Sequence, residues 1–126
     1  ITDLDGKTTR LVLEGEAKAI ARLQGCLVHV SGQKVMSGLR VADWSVRDGG
    51  FGSQPFVGRM LKTPTGWVLD DRTTGSKLRI VDVGGGSPIH GSLVLINGLV
   101  VGQHQLALIS VRTLLEPTEE IDASGP

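Results

Sequence analysis

Apolar residues in this chain come in short runs, each bounded by glycine or a polar turn, and little of the pattern has helical spacing. Such runs predict strands. Residues 1–6 read as the end of a strand closing on Asp5-Gly6, a pair that tolerates the left-handed backbone of a tight hairpin, and 9–13 as its return. The period then changes over 16–24, where Ala17, Ile20, Ala21 and Leu23 line one face of a short helix and Gly25 ends it. Strands follow over 26–30 and 39–46. The second part of the chain predicts strands over 56–61, turning at Thr65-Gly66, then 67–71, running into Thr74-Gly75, then 78–83. The last pair, 92–96 and 105–111, is separated by Asn97-Gly98, a strong local turn signal.

The pattern is duplicated. Gly25-Cys26-Leu27-Val28-His29-Val30-Ser31-Gly32 returns as Gly91-Ser92-Leu93-Val94-Leu95-Ile96-Asn97-Gly98, an offset of 66 from position 25 to position 91. Ser45-Val46-Arg47 returns as Ser110-Val111-Arg112, one place closer, which predicts a shorter second connection. Two differences mark the halves. Gly84-Gly85-Gly86-Ser87-Pro88 stands where the first half has its helix, and three glycines and a proline predict a loop there. The strand over 56–61 has no counterpart in the first half, which either lacks it or carries it before Ile1.

The order strand, strand, strand, short helix, strand, strand resembles that of OB-fold modules. The resemblance covers nearly the whole chain and implies an all-β protein of two duplicated OB-like halves with one short helix. Residues 1–50 form a first half lacking its first strand, 51–115 a second half lacking the helix, and 116–126 an acidic tail with Pro117, Glu119, Glu120 and Asp122. Two barrels or one merged sheet system both fit this division. The chain is also similar to small exported bacterial proteins of OB-like type and to accessory subunits of bacterial membrane complexes, phototrophic ones among them. That likeness implies a structural role in a larger assembly.

Composition narrows the chemistry. With 126 residues, 40% of them hydrophobic, the chain can bury a core, while 18 glycines against two Trp, two Phe and no Tyr describe many turns between aliphatic strands. Thirteen basic and 13 acidic residues cancel, so no net field draws the chain to nucleic acid or anionic lipid. Its single cysteine, Cys26, excludes an internal disulfide and stands where the repeat has Ser92, as a small residue at a strand start. The longest apolar run, 93–101, is interrupted by Asn97-Gly98 and falls far below the ~20 residues of a membrane-spanning helix. The start at Ile1 rather than Met is expected of a chain that lost an export signal or anchor, which implies an extracytoplasmic or peripheral membrane location.

Catalytic signatures fail one by one. His29, His90 and His104 show no ligand spacing, although His90 and His104 flank one predicted hairpin and could approach each other. Cys26 and His29 lie on opposite faces of an extended strand. Asp70-Asp71 precedes Thr73-Thr74-Gly75 and predicts a turn role. The triple glycine lacks the following Lys-Ser/Thr of a phosphate loop. No catalytic residue, cofactor site or metal site is therefore expected, and the chain is expected not to be an enzyme.

What remains is a surface. Phe51, Phe56, Arg59, Met60 and Trp67 cluster around the Gly-rich connection between halves and have the chemistry of interface anchors for protein subunits of a larger complex, with Met36 in a turn as a weaker one. The alternative is single-stranded nucleic acid, stacked on Trp67 with Arg59 and Lys62 against its phosphates. The charge balance and the few aromatics argue against it.

Overall fold

The computed structural model describes residue 2 and residues 6–48, 54–82 and 89–117. Phe51, the triple-glycine segment and residues 118–126 of the acidic tail lie outside the described residues. Within them the protein is all-β with one short helix. The order is β1 (Leu11–Val12), a 3₁₀ helix (Gly15–Arg22), β2 (Leu27–Val35), β3 (Gly38–Asp48), β4 (Gln54–Thr63), β5 (Gly66–Asp71), β6 (Lys77–Asp82), β7 (Leu93–Gly102) and β8 (Gln105–Leu115).

These strands form two sheets. The first is β1-β3-β2, and the second is a closed ring β4-β5-β6-β8-β7 in which β7 pairs back onto β4. In the first sheet β1 runs parallel to β3 and β3 antiparallel to β2. In the ring β6 runs parallel to β8 and β8 antiparallel to β7. The three-stranded sheet thus has the topology of three strands of the ring, and the antiparallel bridge Thr2↔Thr8 stands where the ring has its β5–β6 hairpin.

The repeat holds residue by residue. Cys26 N–H donates to the Leu23 carbonyl at 3.1 Å and Ser92 N–H to that of Ile89 at 3.0 Å. Gly25 and Gly91, at φ 82° and 87°, occupy the left-handed region that favours glycine. Pairing register shifts at Leu27/Val28 and Ser31/Gly32 in β2, and at Leu93/Val94 and Asn97/Gly98 in β7. Each second shift brings a glycine against its neighbour: a Cβ on Gly32 would lie 1.9 Å from the Arg40 carbonyl oxygen, and one on Gly98 2.6 Å from that of Ala107.

Two expectations are corrected here. Asn97-Gly98 is not a turn. β7 runs through it to Gly102 with Asn97 buried, and the bulge at this point lies in β8, where Ile109 is skipped between the pairs Asn97↔Ser110 and Gly98↔Leu108. The second hairpin is also longer, not shorter. His29 faces Ser45 and Leu95 faces Arg112, an offset of 67 from position 45 to position 112, so the matching Ser-Val-Arg tripeptides are not structural counterparts. The extra residue is Val101, skipped between the pairs Val100↔Leu106 and Gly102↔Gln105.

Alternation along the strands fills two cores. Phe56, Met60, Leu69, Leu78, Ile80, Val94, Ile96 and Leu106, drawn from all five ring strands, pack together inside the ring. The intervening residues Val57, Leu93 and Leu95 face the other way. With Leu114 and Leu115 they meet Ala17, Ala19, Ile20 and Leu23 from the helix segment and Val41 and Trp44 of β3. The halves therefore share a core. β7 is buried on both faces from Leu93 to Gly98, which explains its nearly unbroken apolar sequence.

Candidate protein-binding groove

β7 has a neighbour on each side, but β2, its counterpart, pairs among the described strands with β3 alone. No described segment stands in the first half where β4 stands in the ring. Val28 and Val30 are consequently only half-buried, against full burial of their counterparts Val94 and Ile96 in the ring core, and Leu27 on the other face is 45% exposed. Beside this edge opens a groove of about 830 Å³. Its apolar floor includes Leu11, Leu13, Ile20, Leu23, Val28 and Val30, of which Val28 and Val30 match Val94 and Ile96 of the ring core. Among the lining residues the charged side chains are Arg10 and Arg47, and His29 stands at the edge, exposed.

Three arginines hold the two halves together behind the groove. Arg72, from the β5–β6 turn, donates through Nη1 to the Trp44 carbonyl at 2.6 Å and through Nε to Glu16 Oε1 at 2.5 Å, with Nη2 3.3 Å from Asp43 Oδ1. Arg22 Nη1 donates to the Leu114 carbonyl at 2.9 Å. Arg112 Nη1 reaches the carbonyls of Arg22 and Gln24, each at 3.1 Å, and lies 3.8 Å from the Sγ of half-buried Cys26. These contacts fix the helix and the start of β2, two walls of the groove. They join residues far apart in sequence, so no local pattern announced them.

The residues expected as anchors do not gather at this surface. Phe56 and Met60, 8% and 0% exposed, are enclosed in the ring core and cannot anchor a partner; their strand faces both cores, and the aromatic-rich look of the segment reflects packing. Arg59 is half-buried, its Nη1 donating to the Gly91 carbonyl at 3.1 Å. Trp67 is half-buried against one end of the ring core with Lys62 Nζ 6.0 Å above its ring. Met36 is fully exposed in the β2–β3 turn. The groove itself was missed. Its signal was present in the duplication, because a strand that matches β7 but lacks a counterpart of β4 must leave one edge uncovered.

A second, smaller depression of about 340 Å³ lies by β5 and β6, lined by Trp67, Lys77, Arg79 and His104 among others. His104, at φ 57° in the β7–β8 turn, accepts the Arg79 N–H on its carbonyl at 2.8 Å. His90 instead accepts the Lys62 N–H on Nδ1 at 2.9 Å. Among the described residues no three His, Cys, Asp or Glu side chains come together as a metal site. Asp71 has the turn role expected of it: Oδ1 accepts the Thr73 N–H and Oδ2 the Thr74 hydroxyl, both at 3.0 Å.

No helix among the described residues is long and apolar enough to cross a membrane. No protein-family model matches the chain, and neither a curated protein nor a solved structure matches it.

Proposed function

We propose that this chain is a non-catalytic interaction module, an accessory subunit that stabilises a larger, membrane-associated assembly by docking partner proteins in the first-half groove. The supporting observation is the contrast between Val28 and Val30, half-buried and lining the groove, and their repeat counterparts Val94 and Ile96, enclosed in the ring core. Contiguous apolar surface of this kind is characteristic of binding sites. The ring is read as an OB-like barrel, since it closes five strands with one parallel pair, between its third and fifth. Gentle detergent extraction of native cells, followed by sizing and mass spectrometry, tests the role. The chain is expected to migrate in a large particle, and a folded Leu27→Asp variant to run at the mass of the single chain. Wild-type protein running alone removes this reading.

A second reading has its own observation. Lys77, Arg79 and Trp67 border one depression beside β5 and β6, an arrangement suited to single-stranded nucleic acid. It requires salt-sensitive binding of an oligothymidine that Arg79→Glu and Trp67→Ala both weaken; an affinity indifferent to salt eliminates it.

A further inference from the structure

We propose that the first-half groove accepts an extended acidic segment of a partner polypeptide as an added strand, antiparallel to the open edge of β2. This rests on the interaction reading above and names the mode of binding. The protein contains its own template for the complex. In the ring, β4 lies antiparallel on β7 with Phe56 opposite Ile96, Val57 opposite Leu95, Gly58 opposite Val94 and Arg59 opposite Leu93. The repeat carries those β7 positions onto Val30, His29, Val28 and Leu27. Register shifts at the same places, with the extra residues in β3 and β8, pair β2 and β7 with their neighbours in the same way, so a strand that fits one fits the other.

The template sets the side-chain requirements. Phe56 and Met60 point into the ring core, so the incoming strand needs apolar residues at alternate positions, including one opposite Val30. Gly58 is glycine because a Cβ there would lie 2.1 Å from the Asp70 carbonyl oxygen of β5. No described strand plays the part of β5 beside β2, so the position opposite Val28 accepts a side chain. Backbone bonding follows the same template: Met60 N–H donates to the Ser92 carbonyl at 3.0 Å, and Gly91 N–H to the Met60 carbonyl at 2.7 Å. Gly25 N–H is the counterpart donor on the groove side.

Charge selects the partner. Among the described residues the charged side chains lining the groove are Arg10 and Arg47, so a segment with carboxylates between its apolar residues is favoured over one with lysines. Main-chain pairing supplies affinity in this mode, and alternate side chains supply specificity.

The experiment titrates the full chain with a labelled decapeptide of the Gln54–Thr63 sequence carrying Arg59→Glu and Lys62→Glu, reading fluorescence anisotropy and amide exchange. Saturable binding is expected, with slowed exchange at Leu27–Gly32. N-methylation of the peptide methionine is expected to weaken binding tenfold or more, and so is Leu27→Asp in the protein. Arg47→Glu should reverse the preference for the acidic over the unsubstituted peptide. An N-methylated peptide that binds equally well overturns strand addition while leaving the groove a protein-binding site. Absence of peptide binding in a chain that still assembles with partners overturns it too. So does a concentration-dependent dimer whose β2 amides are protected before peptide is added, since a second copy then holds the edge.

Discussion

The guanidinium of Arg72 lies over the indole of Trp44, its central carbon 4.3 Å from the ring centroid, while its Nη1 donates to the carbonyl of that same residue. One side chain from the ring thus holds the first sheet by both ring face and backbone. Trp44 is buried, and Arg72 is only 22% exposed. Water screens such a contact weakly, so it contributes more than an exposed ion pair.

Arg72→Ala should therefore cost about 2–3 kcal/mol, combining lost charged hydrogen bonds with the lost cation–π contact. Arg72→Lys should recover less than half, because an ammonium lacks the planar fork. Urea denaturation reads both, and a change below about 0.5 kcal/mol for alanine shows that the contact does not join the halves.

Leu93 and Leu27 form a paired test of the asymmetry between halves. Leu93→Ala removes a side chain enclosed in the shared core and should cost about 2–5 kcal/mol. Leu27→Ala should cost under about 1 kcal/mol, since the side chain is largely in water. Equal losses would mean that Leu27 is covered in solution.

Gly32→Ala and Gly98→Ala should each destabilise by roughly 1–3 kcal/mol, because the added methyl runs into a neighbouring carbonyl and the strand must shift. Gly32 has the closer approach and should suffer more. Thermal melting of the two variants ranks them, and the reverse order contradicts the geometry.

Asp71→Ala should cost about 1–2 kcal/mol by releasing the Thr73 N–H and the Thr74 hydroxyl at once. Asp70→Ala, next to it on the opposite face of β5, should stay within about 0.5 kcal/mol. A larger effect at Asp70 than at Asp71 inverts the assignment of the turn.

Much of this architecture was legible in the sequence, for reasons visible at particular residues. The helix showed itself through Ala17, Ile20 and Leu23, which do face the shared core, and the duplication through glycines whose backbone demands are local. Asn97-Gly98 misled because a glycine required by a close approach reads locally like a turn glycine, and only the Ala107 carbonyl of the neighbouring strand decides between them. Phe56 and Met60 misled for a different reason. Aromatic and sulfur side chains suit an interface and a barrel interior equally, and the face a strand residue takes depends on partners distant in sequence. Arg72 was invisible because its acceptors, Trp44, Glu16 and Asp43, all belong to the other half.

The double burial of β7 changes what keeps that strand in place. A slip by one residue ordinarily drives apolar side chains into water, and that penalty guards most registers. In β7 a slip merely exchanges Leu93 and Leu95 with Val94 and Ile96, aliphatic for aliphatic, between two dry environments. Hydrophobicity is nearly blind to the error. The guards are the bulges and Gly98, which tolerates the Ala107 carbonyl where any side chain would collide. β2 has the opposite security, because its alternation of exposed Leu27 and His29 with half-buried Val28 and Val30 penalises a slip outright. The repeat thus carries one backbone path under two kinds of proofreading, steric in the closed half and solvent-based in the open one.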